Sequence, residues 1–397
     1  MTTPKGNGLK RSPPAHGMDE VVASAPGKVV LFGEHAVVYG HPAISASISQ
    51  RTTVTVRALD EPGLHLNRRR VSPARHPHLA SLMHRLWDEV MTDGVNVSVQ
   101  SDVPRGAGLG SSAAFAVASA TALRAASGRW VDANTGAWHE GYPSDGSEVG
   151  LFEGESREHQ RTDTSVRVHG QATVSAEEAS LLGHVGEALS QEGRASPMDT
   201  MTAAYGGVVM LSNRVEDEST WVMKRTMPMG DEQRTWDLHH LGDLRLEDGL
   251  SLVVGDTGIN APTTHMVAGV ASRRASDPGI DEALQAIAGL VHRGLEALKT
   301  GDSEALGRTM TENHLLLRRI GVSHPKLEAL VSAALPTALG AKLTGAGGGG
   351  CMIALTRDPK ATSEAIELAG GRTWITALGT PGARLEACPE GGLVSGD

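Results

Sequence analysis

At 397 residues the chain is long enough for two domains of ordinary size, each burying its own core. Apolar residues make up 40% of it and aromatics only 3%, so its cores are filled by Ala, Val, Leu and Ile, and stacking platforms for single-stranded nucleic acid are not expected. The formal net charge of -10 argues against nucleic acid or an anionic membrane surface as a partner, because both repel an acidic protein at long range.

Residues 1–18 carry Lys, Pro and Gly without an apolar run, which reads as a disordered tail and not as a signal peptide. No stretch approaches the roughly 18 apolar residues of a membrane span. From Val21 to Leu59 short apolar runs are broken by Gly and Pro and end in the alternation TTVTVRAL, the pattern of strands and tight turns. Arg68, Arg69 and Arg70 are too short a block to be more than a solvated loop or strand end. After Pro77, the residues Leu79, Leu82, Met83, Leu86 and Val90 recur at helical spacing, and Val95, Val97 and Val99 then alternate as a strand. That strand leads into PRGAGLGSSAAFAVAS, a glycine loop followed by a helix to about Ala126. Residues 138–175 are polar and without period, a loop insertion.

A helix resumes near Ala176 and runs into GRASPMDTMTAAYGG, followed by an apolar strand. The later third is rich in helical pattern and closes on GAKLTGAGGGGCMIALT, two apolar runs flanking a glycine string. Repeats of fixed period are absent, and helices and strands do not alternate strictly, so the chain reads as α+β. Cys351 and Cys388 lie far apart without CxxC spacing, which fits a reducing compartment, and a cytoplasmic location is expected. Cys351 reads as a small buried apolar residue.

In the first glycine loop, Gly106, Gly108 and Gly110 permit backbone dihedrals closed to other residues and let a ligand approach the N–H groups. Ser111 or Ser112 can cap the helix, whose start favours phosphate oxygens, so a triphosphate suits the place. No GK[ST] follows, so this is not a Walker loop. The string GAGGGG at 345–350 matches GxGxxG, but CMIALT after it reads as a strand, so the strand–loop–helix context of a dinucleotide fold fails and a side-chain-free hairpin turn remains.

Three further stretches place polar residues among apolar ones. Lys28, Glu34 and His35 sit in APGKVVLFGEHAVVYG; Asp199 sits in SPMDTMTAAYGG; Thr263 and Thr264 precede a helix as its expected caps. Taken singly, each has a structural explanation. Together they supply the parts that phosphoryl transfer to an alcohol requires: a phosphate cradle, a hydroxyl and a carboxylate for a metal, a cation, and a carboxylate near the nucleophile. His76, His78 and His84, and the pair His239 and His240, lack the ligand spacing of zinc sites.

The stretches APGKVVLFGEHAVVYGHPAI, PRGAGLGSSAA and KLTGAGGGGCMIAL resemble, in order and spacing, the three signature motifs of the GHMP kinases, in the branch whose acceptor is mevalonate. GRASPMDTMTAAYGG and MTENHLLLRRIGVSHPKLEAL add to the likeness, which spans most of residues 21–378. It implies a two-domain α+β fold, with an N-terminal domain like ribosomal S5 domain 2 over 19–225, a ferredoxin-like C-terminal domain over 226–388, and a tail over 389–397. ATP would bind along Pro104, Gly106, Ala107, Gly108, Leu109, Gly110, Ser111 and Ser112. The resemblance further implies Asp199 as the catalytic base toward the C5 hydroxyl of mevalonate, with Lys28 beside that hydroxyl. Ser112 would ligate Mg2+; Glu34, His35, Tyr205 and Thr263 would line the substrate site; Gly345, Gly347 and Gly348 would belong to the floor beneath the phosphates. A homodimer is an open alternative to a monomer.

Two positions depart from the family pattern. The magnesium-binding glutamate expected eleven residues before Asp199 falls on Ala188, with Glu187 one residue further out, so Glu187 or another carboxylate takes that role. The basic residue expected two before Thr263 is Ala261, which leaves the partner of the substrate carboxylate open. The acceptor could therefore be another small alcohol or another hydroxyl of mevalonate, and a nucleotide-binding regulator without catalysis is the reading from a different class.

Overall fold

The computed structural model describes residues 20–86, 94–126, 155–159, 174–190, 195–229, 232–242, 244, 246–247 and 249–387. Both expected tails, Val90, Cys388 and most of the polar insertion lie outside these residues.

In chain order the first part consists of β1 (Glu20–Phe32), β2 (Ala43–Leu59), β3 (Gly63–Leu66), β4 (Arg69–Arg70), α1 (Pro77–Leu86), β5 (Gly94–Ser101), α2 (Ser111–Ala126), β6 (Ser156–His159), α3 (Ala176–Ser190), α4 (Met198–Tyr205), β7 (Val208–Ser212), β8 (Trp221–Met229) and β9 (Glu232–His240). The second part consists of β10 (Ser251–Asp256), α5 (Thr263–Arg274), α6 (Gly279–Thr300), α7 (Ser303–Arg319), α8 (Pro325–Ala334), β11 (Gly340–Leu343), β12 (Cys351–Thr356), α9 (Pro359–Leu368), β13 (Arg372–Thr376) and β14 (Arg384–Ala387). Arg69 and Arg70 form the exposed edge strand that a solvated block predicts.

The first sheet runs β4-β3-β5-β2-β7-β9-β8-β6, with β1 paired to β2 and to β14. The second is antiparallel, in the order β11-β12-β10-β13. The first sheet thus continues to His240, past the expected boundary at 225/226, and the chain returns to it through β14, where Ala23 faces Leu385. A single cut does not separate the two halves.

Helix α2 lies against β1, β2 and α3, and its alanines are buried nearly all round. Small side chains let it approach the sheet closely, and its one long polar residue, Arg124, is neutralised by Glu178 of α3 at 2.6 Å. The halves meet where Phe32, at the end of β1, packs with Val291 and Leu295 of α6 and Leu252 and Val254 of β10. A Cβ on Gly294 would stand 2.2 Å from the Phe32 ring, so this glycine permits the contact.

Candidate active site

Four stretches distant in sequence meet at one place: the second half of β1, the loop before α2, the first turn of α4 and the hairpin β11–β12. The β1–β2 register shifts between Pro26 and Lys28, and a bulge of this kind re-aims the side chains beside it. Lys28 is 5% exposed, and its Nζ lies 3.1 Å from Oδ2 of Asp199. Its backbone N–H donates to the Leu109 carbonyl at 2.9 Å, which ties the strand to the glycine loop. Asp199 stands in the first turn of α4 behind Pro197, where the helix start favours a carboxylate. Its side chain is 29% exposed, so a buried ammonium is presented beside an acid that a substrate can reach.

The loop itself alternates. Gly106, Gly108 and Gly110 have φ of 68°, 78° and 71°, while Ala107 and Leu109 between them are buried. Apolar side chains pin every second residue to the core and leave a bare backbone outward, the geometry of an anion nest. A Cβ on Gly110 would lie 2.7 Å from Lys28 Cγ, so the loop rests on the lysine stem only because residue 110 has no side chain. The first-turn bond of α2 runs from Ala114 N–H to the Gly110 carbonyl at 2.9 Å. Ser111 and Ser112 therefore lie inside the first turn, where capping by a serine was expected, and the Ser112 side of the helix start is exposed.

The second glycine string is the turn between antiparallel β11 and β12, as the strand character of CMIALT predicts. It abuts the first loop: a Cβ on Gly345 would meet Gly108 Cα at 3.3 Å, and one on Gly350 would meet the Ala107 carbonyl at 3.1 Å. Between the two loops and the start of α5 lies a cavity of about 170 Å³, lined by Gly106, Gly108, Asn260, Thr263, Thr344 and Ala346 among others. No acidic side chain lines it, so nothing there repels phosphate oxygens. Thr263 is the first residue of α5 and faces this cavity, but Pro262 takes the cap position, so neither threonine caps the helix as expected.

Glu34 and His35 are both buried, and they differ in what they touch. The Glu34 carboxylate pairs with Lys342 Nζ and accepts from Asn313 Nδ2 at 3.0 Å. The His35 Nε2 donates to the Ala346 carbonyl at 2.8 Å, in the second glycine string. Burial lowers the His35 pKa, with the Ala346 bond and the Glu34 charge opposing. Tyr205 sits at the far end of α4, its ring tilted against His240 at 5.5 Å between centroids.

Glu187, on α3, is 3% exposed, and Ala188 beside it is also buried. Burial pushes the Glu187 carboxyl up to about 8, the Asp199 charge adds to this, and the Lys28 charge opposes it. Glu187 is therefore the carboxylate that shares the field of the Lys28–Asp199 pair. The stretch 191–194, where one extra residue would bring Glu187 into the family spacing, lies outside the described residues. Two crowded carboxylates beside an anion nest fit a divalent cation that takes its other oxygens from phosphates. Among the described residues no group of three or more His, Cys, Asp or Glu side chains is placed to hold a metal alone.

Sequence reasoning did not single out Asn260, Thr344, Ala346, Asn313 or Lys342. The available signal was Lys342, a lone charge inside the apolar run of β11.

A lysine–aspartate pair beside two facing glycine turns defines a phosphotransferase of small molecules. Family comparison agrees: the GHMP kinases N terminal domain matches residues 78–137, GHMP kinases C terminal matches 295–372, and the galactokinase galactose-binding signature matches 15–58. A mevalonate kinase of Pyrococcus furiosus is 31% identical over 92% of this chain and 98% of its own. The solved mevalonate kinase of Methanococcus jannaschii superposes with a TM-score of 0.64 at 24% identity, covering 92% of this chain and 99% of that one. That of L. major in complex with R-mevalonate gives 0.62 at 24%, covering 94% and 99%, and both likenesses bear on the fold. The chain belongs to the mevalonate kinase family of the GHMP kinases, with their two-domain α+β fold. Among the described residues no helix is long and apolar enough to cross a membrane.

Proposed function

We propose that the protein transfers the γ-phosphoryl group of ATP to the 5-hydroxyl of mevalonate, giving 5-phosphomevalonate and ADP. The carrying observation is the 3.1 Å contact between Lys28 Nζ and Asp199 Oδ2 beside the glycine turns, in a chain whose 31%-identical relative is a mevalonate kinase. Asp199 takes the proton of the acceptor hydroxyl as the oxygen attacks the γ-phosphorus, and the bond from that phosphorus to the β–γ bridging oxygen breaks. Lys28 stabilises the negative charge that gathers on the attacking oxygen. Residues 104–112 hold the triphosphate, the 345–348 turn supports them from below, and His35, Tyr205 and Thr263 border the acceptor. Ser112 and Glu187 would hold Mg2+, which neutralises phosphate charge when bound. The nucleotide loop at 104–112 belongs to the part of the chain built on the first sheet, which runs to His240 and is closed by β14, and the two-cysteine composition suits the cytoplasm.

Another small alcohol is the alternative reading, favoured by the galactose-binding signature match at 15–58 and by Ala261. Incubation with ATP and separately mevalonate, phosphomevalonate, homoserine and galactose decides between them. Phosphorylation of mevalonate above the others supports the proposal; a silent mevalonate reaction beside an active alternative overturns it.

A further inference from the structure

The turn that carries His35 is held in an unfavourable shape. His35 has φ 62° and ψ -40°, outside the regions that a non-glycine residue prefers, and such a conformation persists only where its surroundings impose it. Two contacts impose it here, and both reach from the second sheet into the first. The His35 ring donates from Nε2 to the Ala346 carbonyl at 2.8 Å. The preceding residue, Glu34, is clamped by Lys342 Nζ on one carboxylate oxygen and by Asn313 Nδ2, at 3.0 Å, on the other. Lys342 is itself fully buried and spends a further proton on the Val30 carbonyl at 3.2 Å. Thr344, two residues on, exchanges two bonds with Val30, accepting from its N–H at 2.9 Å and donating to its carbonyl at 3.1 Å. Strand β11 thus grips β1 and the turn after it at Val30, Glu34 and His35.

A carbonyl only accepts, so the bond to Ala346 fixes the proton on Nε2 and leaves Nδ1 as the acceptor of a neutral ring. We infer that Lys342 is a positioning residue for the phosphoryl acceptor. Through Glu34 it holds the turn that fixes the His35 ring, with Nδ1 available to a hydroxyl of the acceptor. The inference rests on the mevalonate reading above. A buried pair of this kind need not add stability, since replacing both partners by neutral groups is often neutral, while removing one strands a charge. A residue kept for positioning is therefore separable from one kept for folding.

The test is the double variant Glu34→Gln/Lys342→Met, compared with Lys342→Met alone. The single variant loses thermal stability, and the double variant recovers most of it. The double variant keeps a KM for mevalonate at least about tenfold above wild type, the size of one lost hydrogen-bond contact to substrate, with KM for ATP within about twofold. Asn313→Ala loosens the same carboxylate without stranding a charge, and raises the mevalonate KM by about threefold; this holds even if the double variant does not fold. A wild-type mevalonate KM in either folded variant, or an equal rise in both KM values, overturns the inference. If the wild-type protein itself leaves mevalonate unphosphorylated, it is the functional reading that has failed.

Discussion

The Lys28 ammonium and the Asp199 carboxylate meet at 3.1 Å although 170 residues of chain separate them, one at a β1 bulge and the other in the first turn of α4. The contact is asymmetric in burial, with side chains 6% and 29% exposed, so the acid faces outward and the cation supports it from behind. On the proposed mechanism, an acceptor hydroxyl entering from the open side would meet Asp199 before Lys28.

Gly110→Ala tests how closely the nucleotide loop is fitted to that lysine. The new Cβ would stand 2.7 Å from Lys28 Cγ at a φ of 71°. Backbone strain and overpacking together cost about 1 to 3 kcal/mol. The melting temperature falls by several degrees, and kcat/KM drops by at least about tenfold because Lys28 is displaced from Asp199. Full activity at an unchanged melting temperature would show that the loop is not seated against the lysine.

Glu187→Gln tests the metal assignment. Loss of the carboxylate raises the Mg2+ concentration for half-maximal rate by at least about tenfold, and leaves the affinity for mevalonate unchanged. Titration of rate against Mg2+ reads this directly. An unaltered Mg2+ dependence would pass the role to another carboxylate.

Three histidines whose pKa is lowered by desolvation predict a fold that loses stability in acid. Burial, with a smaller push from His76, brings His78 down to about 4 from its ordinary 6.5, and burial also lowers His184 and His314. Below pH 6.5 the unfolded chain takes up protons that the folded chain refuses, so stability present above that pH is lost as pH falls toward 4. Thermal melts across this window show a falling midpoint. His78→Gln makes the fall shallower, by no more than the value of one proton, about 1.4 kcal/mol per pH unit. A midpoint constant from pH 7 to 4 would contradict the shifts.

The candidate residues could be picked out because their sequence context conflicts with local structure, and their proposed roles came from the family resemblance. A lysine in an apolar strand and an aspartate after a proline stand out, as do glycines at alternate positions before an alanine-rich helix. Strand and helix periods were legible too, down to the rejection of a dinucleotide fold, because β12 follows the second glycine string. What could not be read is what tertiary contact decides. The helix caps failed at Ser111 and Thr263, since Gly110 and Pro262 begin those helices. The continuation of the first sheet to His240 and its closure by β14 depend on pairing between distant strands. Glu34 was expected at the substrate site, and the engagement of its carboxylate by Lys342 of β11 and Asn313 of α7 depends on contacts between distant segments.

On the proposed mechanism the acceptor hydroxyl loses its proton to Asp199 beside Lys28. Turnover of Asp199→Asn, measured with ATP and mevalonate and accompanied by nucleotide affinity, tests it most directly. The expected kcat is lower by at least about 100-fold, the smaller end of what a positioned base contributes, with ATP affinity close to wild type. A variant that turns over at a near-normal rate would contradict it.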